Sequence, residues 1–81
     1  MDEIQTKRLV EVIAMVLADY PAEVEVTEIC GEHISVIELR AAKADLGKII
    51  GKEGRNADAL RTLVNATATK LRKRVVLEII D

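Results

Sequence analysis

Three of the chain's four glycines fall within residues 47 to 60, GKIIGKEGRNADAL, and two of them, Gly51 and Gly54, cut one helical stretch into two. Glycine loses more backbone entropy on folding than any other residue, so a cluster of it marks a place where the chain bends tightly or is closely approached. Residues 41 to 50 hold helix formers with Ala44, Leu46, Ile49 and Ile50 apolar, and Asp45 suits a first turn through its negative charge. A second helix runs from about residue 55 to 68. The unit is a helix, a four-residue turn and a helix, and the remaining segments have to pack around it.

The flanking segments supply one more helix and three strands. Residues 3 to 19 carry Leu9, Val12, Ile13 and Val16 at the spacing of one buried helical face, widened by Val10 and Leu17. Pro21 disfavours helical backbone at Tyr20, which places the end of that helix near Asp19. Val24 and Val26, then Ile34, Val36, Ile37 and Leu39, flank Cys30-Gly31-Glu32 and predict a β-hairpin. Ile34 and Val36 point one way and Ile37 and Leu39 the other, so the alternation leaves open which pair meets the core. Lys70-Leu71-Arg72-Lys73-Arg74 reads as a solvated charged connection, and residues 75 to 80 as a strand with Val75, Leu77 and Ile79 on one side. The order is α-β-β-α-α-β, a single α+β domain over residues 1 to 81 in which three helices cover one face of a three-stranded sheet.

Tyr20 is the sole aromatic residue, so the core has to be aliphatic. Charge is divided along the chain: residues 1 to 39 hold nine acids against Lys7 and Arg8, and residues 40 to 81 hold ten Lys and Arg against five acids. The basic half is the half with the turn, which suits a polyanion there. The acidic total argues against indiscriminate attachment to nucleic acid. The lone Cys30 closes no intrachain disulfide, no apolar run approaches the roughly 18–20 residues of a membrane span, and MDEIQTKR lacks the order of a signal peptide. The expectation is a cytoplasmic protein with no membrane partner.

The turn excludes two nucleotide sites. A phosphate-binding G-x-x-x-x-G-K-[ST] loop needs four residues between its glycines and a hydroxyl for magnesium, but three residues separate Gly47 from Gly51 and Glu53 follows Lys52. G-x-G-x-x-G fails as well, and the turn follows a helix rather than a strand. Two glycine corners without β-carbons leave room for a sugar-phosphate chain to lie against the backbone, at the positive end of the helix that follows. Lys48, Lys52 and Arg55 flank that place, with Arg61 two turns further on. Helix, I-G-x-x-G, helix is the arrangement in which a KH domain clamps four backbone nucleotides of a single strand. Gly47 either lets two helices pack closely or shapes the turn.

The segment from Asp45 to Arg55, DLGKIIGKEGR, resembles the KH signature, and the element order resembles the type II, bacterial arrangement. The short length, Val-Ile-Glu-Leu-Arg at 36 to 40 and Arg-Val-Val-Leu-Glu at 74 to 78 are similar to small single-KH proteins of bacteria, the KhpA family. The resemblance implies a cytoplasmic RNA-binding protein, a post-transcriptional regulator or RNA chaperone, that works with a second KH protein of the Jag (KhpB) family. It implies single-stranded RNA at Lys48, Ile49, Ile50, Gly51, Lys52, Glu53, Gly54 and Arg55, with bases on an aliphatic groove between the two central helices and the adjacent sheet edge. Ile49, Ile50 and Ala57 are candidate floor residues of that groove, and equally candidates for ordinary core packing. Glu53 sets a carboxylate where many KH domains carry a basic or neutral residue. No cofactor is implied.

No catalytic constellation stands out. Cys30 and His33 beside the hairpin turn are two ligands short of a tetrahedral zinc site. The scarcity of aromatics excludes RRM-type base stacking but not a KH domain. The alternative function is an interaction subunit whose fold serves dimerisation with little RNA contact. On a wheel of the second central helix, Ala57, Leu60, Val64 and Ala68 form a core arc, and Ala59, Leu63 and Ala66 widen the apolar surface to about 200°. That edge predicts a homodimer, or a heterodimer with a related KH protein, through Leu63. The competing arrangement has the first helix cover it.

Overall fold

In the computed structural model, which describes residues 6–81, helix α1 (Thr6–Leu17) leads through a 3-10 turn (Pro21–Glu23) into strands β1 (Glu25–Cys30) and β2 (Ile34–Arg40). Helix α2 (Lys43–Ile50), a second 3-10 turn (Lys52–Gly54) and helix α3 (Arg55–Leu71) then cross back to strand β3 (Arg74–Ile79). The sheet order is β1-β2-β3, antiparallel between β1 and β2 and parallel between β2 and β3. Parallel neighbours need a long crossover, and the helix-turn-helix unit supplies it. The α-β-β-α-α-β order and three-stranded mixed sheet are those of a type II KH fold.

The hairpin question is settled by burial. Ser35, Ile37 and Leu39 face the helices with no accessible surface, while Ile34 is exposed and Val36 half-buried on the open side of the sheet. Val10 and Ala14 of α1, Ile49 of α2 and Leu60, Val64 and Ala68 of α3 join them in one aliphatic core. Helix α3 runs three residues beyond its expected end and stops at Arg72, which takes left-handed backbone (φ 57°) while the Lys73 N–H bonds the Ala68 carbonyl at 3.0 Å.

The buried face of α1 differs from the expected one. Val12 and Val16 are 41% and 78% exposed, and the face toward the core is centred on Thr6, Val10 and Ala14, with Ile13 and Leu17 partly buried. Small residues at the line of contact let α1 lie close to its neighbours, and the Thr6 hydroxyl reaches the Thr67 hydroxyl at 2.9 Å. The bulkier apolar side chains are left to one side. The helix ends at Leu17, and its expected start at residue 3 lies outside the described residues.

Asp45 does more than bias a first turn. Its carboxylate is fully buried and accepts the backbone N–H groups of Asp19 and Tyr20, each at 3.0 Å, tying the exit of α1 to α2. Asp45→Asn keeps the shape but turns an amide donor toward one of those N–H groups. The expected cost is about 1–3 kcal/mol of stability, read by urea unfolding. A midpoint equal to wild type contradicts this role.

Candidate nucleic-acid interface

The turn owes its shape to three positive-φ residues within four positions. Gly51 ends α2 at φ 80°, ψ 169°, Glu53 sits at φ 56°, ψ 26° and Gly54 at φ 76°, ψ 14°. The Gly51 N–H is spent on the Gly47 carbonyl (2.8 Å) and the Gly54 N–H on the Gly51 carbonyl (3.0 Å). Among the described residues, the N–H groups of Lys52 and Glu53 donate to no backbone carbonyl. Two amides at the tip are thus available to an outside acceptor, at the start of a 17-residue helix whose dipole favours an anion there.

The flanking cations are not equally free. Lys48 is ion-paired to Asp19, and that hydrogen bond raises its ammonium above the ordinary lysine value, so it stays charged through the physiological range. Arg55 Nη2 lies 3.3 Å from Glu53 Oε1. Lys52 is exposed and has no ion pair among the described residues. All of these pairs are exposed and of the kind worth little in water, so a phosphate can replace either carboxylate.

The apolar candidates divide. Ile50 is 39% exposed beside the turn, but Ile49 has no accessible surface and Ala57 only 4%, so both belong to the core rather than to a groove floor. They are turned inward because α2 packs against α1 and α3, which closes its inner face and the first turn of α3 off from solvent. Gly47 is exposed, and a β-carbon there would meet nothing within 4 Å, so close helix packing is not its role. A cleft of about 200 Å³ lies instead between α3, through Arg61, Val64 and Asn65, and the edge strand β3, through Arg74 to Leu77. Arg61 is six residues, about 9 Å, along α3 from Arg55.

Asn56 is a site residue that sequence reading missed. Its Nδ2 donates to the Lys48 carbonyl at 2.8 Å, joining α3 to the end of α2 behind the turn. A signal was present: on the α3 wheel Asn56 falls inside the apolar arc, between Leu60 and Leu63, where a polar side chain needs a bonding partner. The Asp19 contact with Lys48 had no such signal, because the two residues are 29 apart in sequence.

The expected surplus apolar edge is present on the opposite flank of α3. Leu63 is 46% exposed, and Ala59 and Ala66 are exposed. The first helix covers this edge only in part, through Ile13 and Leu17, which line an apolar cleft of about 180 Å³ with Asn56, Ala59, Leu60 and Leu63. Val16 of α1 lies about 60° around that helix from Ile13 and extends the apolar surface. Among the described residues no three His, Cys, Asp or Glu side chains are grouped to hold a metal ion, and no helix is long and apolar enough to cross a membrane.

Comparison with known proteins gives a consistent result. A family model described as "KhpA/KhpB, KH domain" matches residues 7–79. Proteins named RNA-binding protein KhpA are similar to the chain: that of Clostridium acetobutylicum is 53% identical over 74 residues, covering 91% of this chain and 99% of the relative. That of Caldanaerobacter subterraneus subsp. tengcongensis is 56% identical (89% and 96%), and that of Aquifex aeolicus 55% identical (93% and 95%). These relatives are named as binding proteins, not as enzymes. The crystal structure of Era in complex with MgGDPNP and nucleotides 1506–1542 of 16S ribosomal RNA matches with a TM-score of 0.59 at 23% identity, covering 91% of this chain and 28% of that one, a likeness of fold alone.

Proposed function

The chain belongs to the KhpA/KhpB family of KH-domain proteins, and from that premise we propose that it binds single-stranded RNA by clamping the phosphate backbone at Gly51-Lys52-Glu53-Gly54. The observation that carries this reading is the pair of undonated N–H groups at Lys52 and Glu53, held at a helix start beside Lys48, Lys52 and Arg55. Phosphate oxygens accept from the amides and the cations, and the strand continues along the cleft between α3 and β3. There the outer edge of β3 offers backbone groups, and Arg61, Asn65 and Arg74 offer donors to bases or phosphates. Ile49 has no part in the contact. The cellular role is that of a cytoplasmic post-transcriptional regulator or RNA chaperone. Titration of a short single strand and of a duplex of the same sequence, each over a salt series, tests the reading. Preferential, salt-sensitive binding of the single strand supports it, and equal or absent binding at moderate salt overturns it.

The turn's own carboxylate opposes the phosphate. Glu53→Lys removes that repulsion and releases Arg55 from its 3.3 Å partner. We expect tighter binding, by about threefold to tenfold, with a steeper salt dependence. A weaker complex would mean that Glu53 makes a favourable contact with RNA.

The Leu63 edge favours assembly through a second surface. In this proposal a second copy, or a KhpB-family KH protein, docks on Ala59, Leu63 and Ala66 together with the exposed apolar side of α1. Leu63 and Arg61 are about 160° apart around α3, so such docking leaves the RNA cleft open. Leu63→Asp is expected to give a folded monomer, since a half-exposed position tolerates a carboxylate but a two-fold contact does not. Light scattering decides: a wild-type monomer, or a variant that stays dimeric, removes this interface, and an unfolded variant assigns Leu63 to the core.

A further inference from the structure

The last four carbonyls of a helix have no partner within it, and in α2 two of them are capped from outside. The Gly47 carbonyl takes the Gly51 N–H, and the Lys48 carbonyl takes the side-chain amide of Asn56, each at 2.8 Å. Asn56 is the second residue of α3, so its bond closes a ring around the whole turn, from the end of one helix to the start of the next. The same side chain forms the inner wall of the turn. A β-carbon on Gly51 would lie 2.7 Å from Asn56 Cγ and 2.9 Å from its Cβ. On its other side Asn56 lines the apolar cleft between α1 and α3.

We propose that Asn56 is the positioning residue of the phosphate clamp. It holds the α2 end that carries Lys48 at a fixed separation from the tip that carries Lys52, so that both ammonium groups and the two free amides present one surface to the backbone of an RNA strand. The proposal rests on the RNA-clamp reading above, and it goes further in assigning the geometry of the clamp to a side chain that need not touch the ligand. An orphan carbonyl at an exposed helix end can turn to water at little cost to the fold, so the bond's consequence is local order at the turn rather than global stability.

Asn56→Leu tests this. It has nearly the same shape, cannot donate, and sets an apolar side chain against the Ile13, Leu17, Leu60 and Leu63 cleft, so thermal unfolding should be unchanged. Asn56→Ala, which removes the donor without bulk, is measured beside it to separate loss of the bond from crowding by leucine. In the free protein, amide exchange at Gly51 and Gly54 should quicken in both variants while the core amides of α3 keep their protection. With a short single-stranded RNA, both should bind about tenfold more weakly than wild type. The slope of log affinity against log salt should shrink by about 0.7, the contribution of one single-strand phosphate. Unchanged affinity and slope overturn the proposal, whether or not exchange quickens. If wild type itself fails to bind RNA, the clamp reading falls, and unaltered exchange at Gly51 and Gly54 would then dispose of the positioning role as well.

Discussion

A protein carrying Lys52→Asp and Glu53→Asp together is expected to lose affinity for a short single-stranded RNA by about 100-fold or more, with its melting temperature essentially unchanged. The double change replaces the loop cation that has no ion pair among the described residues by a carboxylate, a difference of two charges at the place where the phosphate would lie. Each unit charge at 4 Å is worth about 1 kcal/mol in bulk water and about 4 kcal/mol at an effective dielectric of 20, so two charges suffice for the stated loss. The fold should be indifferent for two reasons. Both side chains are exposed, and Glu53 has left-handed backbone, where aspartate is better tolerated than most residues. Retained affinity would mean that the turn is not the clamp, whatever else on the surface binds RNA.

Gly51→Ala should act on the fold instead. Gly51 lies at φ 80°, ψ 169°, a region open almost only to glycine and costing about 1–3 kcal/mol for a residue with a β-carbon. Its new β-carbon would also stand 2.9 Å from the backbone nitrogen of Asn56, which cannot swing away as a flexible side chain could. Strain and clash together should cost about 3–4 kcal/mol, which in a domain of this size lowers the melting temperature by roughly 12–30 °C. Gly54→Ala is the internal control. It has φ 76° but nothing within 4 Å of the added atom, so only the left-handed penalty of about 1–2 kcal/mol applies. Equal melting of the two variants would show that contact with Asn56 does not constrain the turn.

The contrast between these glycines marks where sequence was informative. Gly51 and Gly54 announced a break between two helices because no packing preference replaces a backbone conformation that L residues avoid, and the turn lies where that pattern put it. The hairpin followed from β-branched runs around Gly31, whose N–H bonds the Ile34 carbonyl at 2.7 Å. Periodicity misled at α1, since it weighs bulk, and the contact line of that helix is made by Thr6 and Ala14. It was also silent on Ile49 as against Ile50, adjacent residues of which one is core and the other partly exposed. The first-turn place of Asp45 was legible, but its tie to Asp19 and Tyr20 and the role of Asn56 were missed because they depend on backbone groups of other segments. A carboxylate reaching Asp19 and Tyr20, or an amide reaching Lys48, has no expression in the spacing of side chains along one helix.

The central claim is that RNA meets the turn between α2 and α3 and the cleft between α3 and β3, and residue-resolved NMR titration with a short single-stranded RNA tests it most directly. Amide shifts are expected to move first at Lys48 to Arg55, most at Lys52 and Glu53, and then along Arg61, Asn65 and residues 74 to 77, with the Ala59, Leu63 and Ala66 edge unmoved. Shifts centred on that apolar edge or on the open face of the sheet, with the turn unaffected at saturating RNA, would contradict the account.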